Sequence, residues 1–370
     1  MFLPVFVSLA VAAVFYLLVP LVGAFMLRAQ WRRFRLRLAE VSLAPTLRYR
    51  DLAAALAAGD RVVGRFRLYG RVEALEGSDR VWLRGEGVSA LVDFARAPLY
   101  VLSPEEEGPG SLSRVPWRSV TSLAEGTTLF AGGLLVLEGG KPVFVEEPGE
   151  ALVAASYDCP DAALGPRLVE GARAENEYWT PLTRLSLSLG LAVTSLLLVL
   201  VTGRTTLATV RAMSFLLGGA PVLPLLPPGL FLFLLYHGLW RRALALRASR
   251  DAYRMPLTYF PEGLERGPAA LPDGGRYVAR RLEPGEAPPE EALQLEALGN
   301  EDRWGSPWIF RAEDSRDPAA ATIVAPGDPE RLAAAASRAA TFAALGSGLA
   351  MALALVINYA LGILLWQRLF

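Results

Sequence analysis

The sequence predicts a polytopic α-helical membrane protein with four spans, a cytoplasmic small β-barrel of OB-like kind, and a second small cytoplasmic module, α+β or irregular. Three observations predict it. Four long stretches carry no charge. Arginines crowd one end of each stretch. Between the first two stretches lies a series of short alternating segments separated by turn residues.

A hydrocarbon core about 30 Å thick needs roughly 20 apolar helical residues to cross it. The first stretch is 2–27, the second 185–202, the third lies within Met213–Trp240, and the fourth is 341–366. A mean hydropathy of +0.33 agrees with this amount of apolar chain. The first stretch has no basic region before it, exceeds a signal peptide in length and is followed at once by arginines, so it reads as a retained anchor.

Basic residues favour the cytoplasmic side of a span. Arg28, Arg32, Arg33, Arg35 and Arg37 follow the first span, and Arg184 precedes the second. Arg241, Arg242, Arg247 and Arg250 follow the third, and Arg331 and Arg338 precede the fourth. The other side holds Arg204, Arg211 and Arg368. All four spans agree on an inner-membrane protein with both termini outside (periplasmic) and both large segments in the cytoplasm. Trp31, Trp179, Trp240 and Trp366 sit at span ends, where amphipathic indoles favour the headgroup layer.

The domain plan follows: span 2–27, basic segment 28–50, β domain 51–158, linker 159–184, span 185–202, outer segment 203–220, span 221–240, second module 241–340 and span 341–366. Within the outer segment, 205–217 mixes Thr and Arg with an apolar stripe. It reads as a separate interfacial helix with Arg204 and Arg211 in the headgroups. A single kinked helix from about 210 to 240 is the alternative, because Pro221, Pro224, Pro227 and Pro228 interrupt the stretch.

Charge is unevenly spread although the formal net is zero. Segment 28–50 has seven arginines and one glutamate; 51–183 and 251–330 are each net −8. Basic charge therefore hugs the membrane. Arg28, Arg32, Arg33, Arg35, Arg37, Arg241 and Arg242 are candidate contacts to anionic lipid headgroups. Acidic bodies argue against nucleic acid as a partner. One lysine against 36 arginines, with abundant Ala, Gly, Leu and Pro, points to a GC-rich bacterial genome.

In the β domain, 51–58 reads as a short helix stopped by Gly59. Strict alternation follows, with Phe66, Leu68, Gly70, Val72 and Ala74 on one face and Arg65, Arg67, Tyr69, Arg71 and Glu73 on the other. Phe66, Leu68, Val72, Leu129 and Val143 are the predicted core. Arg65, Arg67, Tyr69 and Arg71 form a candidate docking face, although an ordinary solvated strand face fits the pattern as well. Further strands are predicted at 80–84, 88–94, 99–102, 127–137, 142–146 and 152–156, with a hairpin turn at 138–141 and a short helix at 116–124. This count suits a small closed barrel, with a β-sandwich as the other solution. The run EGTTLFAGGLLVLEGGKPVFVEEPGEALVAASYD (125–158), set between two spans, resembles the membrane-anchored GIDE-type domain. The resemblance implies a β-domain fold. The ubiquitin-ligase RING of eukaryotic members needs several cysteines, and this chain has one.

In the second module, twelve prolines and glycines between 256 and 289 predict short elements. Strands are expected at 276–282 and 308–311 and a short helix at 290–298. A last helix from Pro329, capped by Asp328, runs into the fourth span. Tyr253, Tyr259, Phe260, Tyr277, Trp304, Trp308 and Phe310 argue for a packed module docked on the first domain.

The chemistry of reaction is sparse. Cys159 is the one cysteine and His237 the one histidine, which excludes cysteine-based zinc and iron–sulfur sites and His-pair motifs. Glu105–Glu107 and Glu301–Asp302 lack calcium-loop spacing and read as solvated loops. No metal, cofactor or catalytic residue is expected. No charged residue lies mid-span, which weighs against ion-coupled transport. Ala344, Gly348 and Ala352, Gly346 and Ala350, and Asn358 are candidate helix-packing positions in the fourth span, within the monomer or towards another membrane protein or a second copy. The expected function is a non-catalytic scaffold or assembly role. The alternatives are an accessory subunit of a transport or secretion complex and a membrane-bound enzyme.

Overall fold

The structure, a computed structural model, describes residues 3–103, 112–120, 123–174, 178–202, 208–264, 267–283, 285–289, 292–299, 303–315, 317 and 321–369. The acidic runs 105–107 and 301–302 and Arg204 lie outside the described residues. The chain divides into two units. A helical unit comprises Met1–Trp31, Asn176–Leu246 and Arg338–Phe370; a β unit comprises Arg32–Glu175 and Arg247–Ser337.

The chain begins with α1 (Leu3–Ala13), a π-turn at Val14–Leu18 and α2 (Val19–Ser42), which follow one another without a break. Beyond Trp31, α2 buries Phe34, Leu38 and Val41 at helical spacing and leaves Arg32 and Arg33 exposed. Next comes α3 (Tyr49–Ala58), stopped by Gly59 in the left-handed conformation (φ +74°). Glycine pays no Cβ penalty there.

The strands are β1 (Val62–Glu76), β2 (Arg80–Arg84), β3 (Ser89–Asp93), β4 (Leu99–Leu102), β5 (Leu112–Val115), β6 (Thr128–Glu138), β7 (Lys141–Val145) and β8 (Val153–Ser156). Among the described residues they form one sheet in the order β1-β2-β3-β7-β6-β8-β4-β5, and β1 also pairs with β6. That extra pairing closes β1, β2, β3, β7 and β6 into a ring. The length of β1 makes it possible. Its first part, to Arg71, pairs with β6, and its last part, from Arg71, pairs with β2 across an irregularity between Val72 and Ala74. β3 and β7 run parallel; the other ring junctions are antiparallel.

Leu68, Val72, Val81, Leu83, Val92, Leu129, Leu135 and Phe144 fill the main core, with Phe66 partly buried against it. Val143 departs from the predicted core. It packs with Leu91, Leu134 and Val136 in a second cluster, while its neighbour Phe144 faces the main one. β7 is covered on both faces, so alternation could not tell which residue points which way. The expected helix at 116–124 is a 3₁₀ turn, Trp117–Ser119. The segment treated as linker holds α4 (Asp161–Ala174).

In the helical unit, α5 (Pro181–Thr202) packs on the N-terminal helix. A Cβ at Gly190 would lie 2.6 Å from Phe15 Cβ, so the bare glycine permits the approach. The carbonyls of Phe15 and Tyr16, in the π-turn, accept from Ser186 Oγ (2.7 Å) and the Tyr178 hydroxyl (2.8 Å). α6 (Ala208–Gly218) is a separate helix, and α7 (Gly229–Arg254) begins only after a turn and a 3₁₀ segment, Leu223–Leu225. The span expected over 221–240 is therefore helical from Gly229, because four prolines between 221 and 228 break what precedes it. Among the described residues, three helices are long and apolar enough to cross a membrane: Phe6–Ser42, Pro181–Leu200 and Pro329–Leu365.

The second segment of the β unit contributes β9 (Ala269–Ala270), β10 (Arg276–Arg281), β11 (Leu293–Gln294), β12 (Trp308–Glu313) and β13 (Ile323–Ala325), in the sheet order β11-β13-β12-β10-β9. Phe260, Leu271, Tyr277, Phe310 and Ile323 form its core, and Tyr259 and Trp308 pack on it. The expected helix at 290–298 is replaced by β11, whose Leu293 N–H donates to Thr322 O at 2.9 Å. The last helix, α8 (Pro329–Leu369), starts as predicted. Asp328 Oδ1 accepts from the Glu330 and Arg331 N–H groups at 3.0 and 3.2 Å.

Candidate functional site

The candidate docking face on β1 is split by the structure into three environments. Opposite it on β6, Arg65 faces Leu134, Arg67 faces Gly132, Tyr69 faces Phe130 and Arg71 faces Thr128.

Arg67 is not free to dock a partner. It is buried to 1% exposure, and this corrects the expectation of a solvated or docking residue. Gly132 explains the local room: a Cβ there would run into the Val41 side chain, so the glycine lets the end of α2 lie on the sheet. Arg67 Nη1 then donates to Ser42 O at 2.7 Å. Its Nη2 contacts Asp317 Oδ2 in an ion pair whose side chains are 1% and 2% exposed. Asp317 is set by its own loop, since its N–H donates to Ser315 Oγ at 3.1 Å. Ser315 Oγ donates to Asp273 Oδ2 at 2.7 Å, and Arg48 approaches the same oxygen at 3.7 Å. A chain of polar contacts thus joins residues 42–67 to residues 273–317. A buried charge pair of this kind is costly to break, because removal of either partner leaves the other uncompensated.

Arg65 remains exposed and holds Glu150 through two bonds of 2.6 Å. Exposed pairs of this kind contribute little to stability. The Glu150 carboxyl is held below the usual range, chiefly by its hydrogen bonds from Arg65.

Tyr69 and Arg71 line a cleft of about 410 Å³ with Gly70, Arg84, Gly85, Glu86, Thr128, Tyr157, Cys159 and Asp161. Two glycines keep its floor bare. A Cβ at Gly70 would strike the Arg84 carbonyl, and one at Gly85 would lie 2.8 Å from Tyr69 O. Arg71 and Arg84 are cross-strand neighbours of like charge. Glu73 relieves them, 3.3 Å from Arg84 Nη1. Tyr157 donates to Asp161 Oδ1 at 2.6 Å. Burial pushes the Tyr69 hydroxyl up to about 12, and burial followed by the Asp161 and Asp158 charges pushes the Cys159 thiol up to about 11. The cleft brings Arg71, Arg84, Glu86 and Asp161 together with phenols and a thiol that stay protonated at neutral pH. A protonated thiol is a poor nucleophile. The cleft is equipped to hold polar groups.

Sequence reasoning missed Arg84, Tyr157, Cys159, Asp161 and Asp317. Ring closure and the return of β8 bring the first four to β1. Asp317 lies 250 positions from Arg67, and no local pattern marks the pairing.

The candidate headgroup arginines also divide. Arg28, Arg32, Arg33, Arg241 and Arg242 are exposed. Arg35 lies 3.8 Å from Asp251, which also pairs with Arg173 at 2.7 Å and with Arg250, and Arg37 lies 3.4 Å from Glu146. On α8 the buried line is Ala343, Ser347, Ala350, Ala354 and Asn358. Gly346 packs on Leu239; Gly348 and Ala352 are exposed, and Ala344 is half-buried. Among the described residues no group of three or more His, Cys, Asp or Glu side chains is placed to hold a metal.

No protein-family model matches the chain, and comparison with curated proteins and with solved structures finds no match.

Proposed function

We propose that this chain is a bacterial inner-membrane protein with four crossings that presents a rigid cytoplasmic β platform, and that it serves as a non-catalytic scaffold on which other membrane proteins assemble. One observation carries the reading: residues 32–175 and 247–337, separated in sequence by apolar helices, build one compact unit. A single body lies on one side of a bilayer. The chain between its two halves must then cross an even number of times. With the arginine bias, that side is the cytoplasm and both termini are periplasmic. The ring of five strands with one parallel junction supports an OB-like barrel, and the GIDE-type resemblance of 125–158 belongs to the same reading as a matter of fold only. The exposed Arg28, Arg32, Arg33, Arg241 and Arg242 would meet anionic headgroups.

The docking surface narrows to the Tyr69–Arg71 cleft, since Arg67 is occupied internally. The test is purification in mild detergent of the full chain and of a Tyr69→Ser/Arg71→Glu variant, with identification of what accompanies each. The reading expects defined membrane proteins with the parent chain, lost from the variant at equal membrane level. An unchanged set, or no companion at all, contradicts it. Companions drawn from one transporter or secretion machine would favour the accessory-subunit alternative.

A further inference from the structure

We infer that residues 208–240 make the remaining crossing as two half-helices that meet near the bilayer midplane, and that Asn358 of α8 is the latch that closes the break between them. This rests on the four-crossing reading above. Three continuous helices can cross a membrane, and two of them flank the stretch 203–246. If 32–175 and 247–337 share one side, that stretch must itself return across the bilayer after α5. Neither half spans alone. α6 rises about 16 Å over eleven residues, and the apolar part of α7, Gly229–Trp240, rises about 18 Å, against a core of about 30 Å. Together they suffice.

The contacts place the break inside the apolar layer, with its α6 end beside mid-span residues. The Gly218 carbonyl, at the end of α6, accepts from the Tyr16 hydroxyl at 3.2 Å, and Tyr16 also bonds Thr194 Oγ1 at 3.0 Å. Tyr16 and Thr194 each lie near the middle of their own apolar stretches, 2–27 and 185–202. On α8, Asn358 lies inside the apolar stretch 341–366. A helix lying in the outer interface would not reach these positions. Nor would it bury Val210, Ala212 and Leu216 within the helical unit.

Backbone that leaves a helix at this depth finds no water, and its polar groups must be satisfied by protein. Turn bonds satisfy part of it, among them Val222 N–H to Gly219 O at 2.8 Å and Leu226 N–H to Leu223 O at 3.1 Å, and one side chain ties the break to α8. The Asn358 carboxamide donates to the Leu223 carbonyl and, at 2.7 Å, to the Leu226 carbonyl. Its oxygen accepts from the Gly229 N–H, at the start of α7, at 3.2 Å. Gly229 is bare so that the carboxamide can enter: a Cβ would lie 2.9 Å from Asn358 Cγ. The outward side chains of the break are Val222, Leu225 and Leu226, each close to half exposed and apolar, as lipid contact requires. This assignment replaces the interfacial helix expected for 205–217.

Single cysteines in a Cys159→Ser background test it in the full chain, in spheroplasts and in inverted vesicles. Leu217→Cys, Val222→Cys and Leu226→Cys are expected to resist a membrane-impermeant maleimide from both sides and to react after denaturation. Adding Asn358→Leu is expected to raise labelling at 222 and 226 at least fivefold, and Asn358→Gln to raise it less. Tyr16→Phe, which removes the hydroxyl's bonds to Gly218 and Thr194, should raise labelling at 217. Wild-type labelling of 217 and 222 from the periplasmic side would overturn the half-helix assignment. Unchanged protection in both Asn358→Leu and Tyr16→Phe would overturn the latch. A wrong orientation would show separately, as periplasmic labelling of Lys141→Cys, and would leave the two-sided protection of the break intact.

Discussion

Replacing Arg67 by methionine is the perturbation with the most to say about how the β unit is held together. The change keeps an unbranched chain of similar length and removes the guanidinium. Asp317 then keeps a buried carboxylate, its side chain 2% exposed, without the guanidinium that faces it. Breaking a buried pair by removing one partner costs about 3–5 kcal/mol. The Ser42 carbonyl also loses its donor, so the upper half of that range is the better expectation. For a unit of this size each kcal/mol moves the midpoint by about 2–4 °C, so the loss should be roughly 8–20 °C. Thermal unfolding of the full chain in mild detergent, followed by tryptophan fluorescence, reads it. The diagnostic quantity is the coupling. Arg67→Met/Asp317→Leu replaces the pair with apolar groups and should recover most of the loss, because neither charge is then stranded. If Arg67→Met costs under about 1 kcal/mol, or if the double variant is as unstable as the two single losses added, the buried-pair argument is wrong.

Three further outcomes are expected. Phe144→Ala should destabilise by about 3–5 kcal/mol in the same melt, since its ring is fully buried in the main core, whereas Phe66→Ala should cost distinctly less because Phe66 is partly exposed. Gly132→Ala should cost about 1–3 kcal/mol, because its Cβ would displace Val41; a neutral melt would show that α2 does not lie on β6. Alkylation of Cys159 in the folded protein should rise about tenfold per pH unit from pH 7 to 10, as a thiol raised by burial to about 11 remains mostly protonated throughout, and a plateau near pH 9 would place the thiol in the ordinary range.

Much of the first sheet was legible in the sequence, because its strands are short, alternate in polarity and end at turn residues. β2 and β4 have the predicted bounds, and the hairpin turns at Gly139 and Gly140, both at positive φ. Reading failed where tertiary context overrides local pattern. The helix α4 carries Gly165 and Pro166, which argue against a helix. Gly165 faces Met255, whose Cε would lie 2.5 Å from a Cβ there. The strand β5 is four residues long with one buried side chain, and it follows an acidic run that reads as loop. Residues 290–298 have helical composition, yet Leu293 and Gln294 are recruited by β13 in a parallel bridge.

The candidate face was legible as a face and not as a site. Alternation put Arg65, Arg67, Tyr69 and Arg71 together on one side of β1. What each one meets depends on partners at positions 150, 317, 130 and 84, which only the closed ring and the second sheet bring near. Likewise, the prolines at 221–228 announced a break, but the side chain that bonds the Leu226 carbonyl stands 132 residues further on.

The central claim is that residues 32–175 and 247–337 lie together on the cytoplasmic face, with an even number of crossings between them. Impermeant-maleimide labelling of Lys141→Cys and Arg303→Cys in a Cys159→Ser background measures it in intact spheroplasts. Both side chains are exposed on the β unit, Lys141 at the start of β7. The account predicts that neither is labelled until the membrane is permeabilised, after which both are. Labelling of both in intact cells would reverse the orientation, and labelling of one alone would contradict the single body itself.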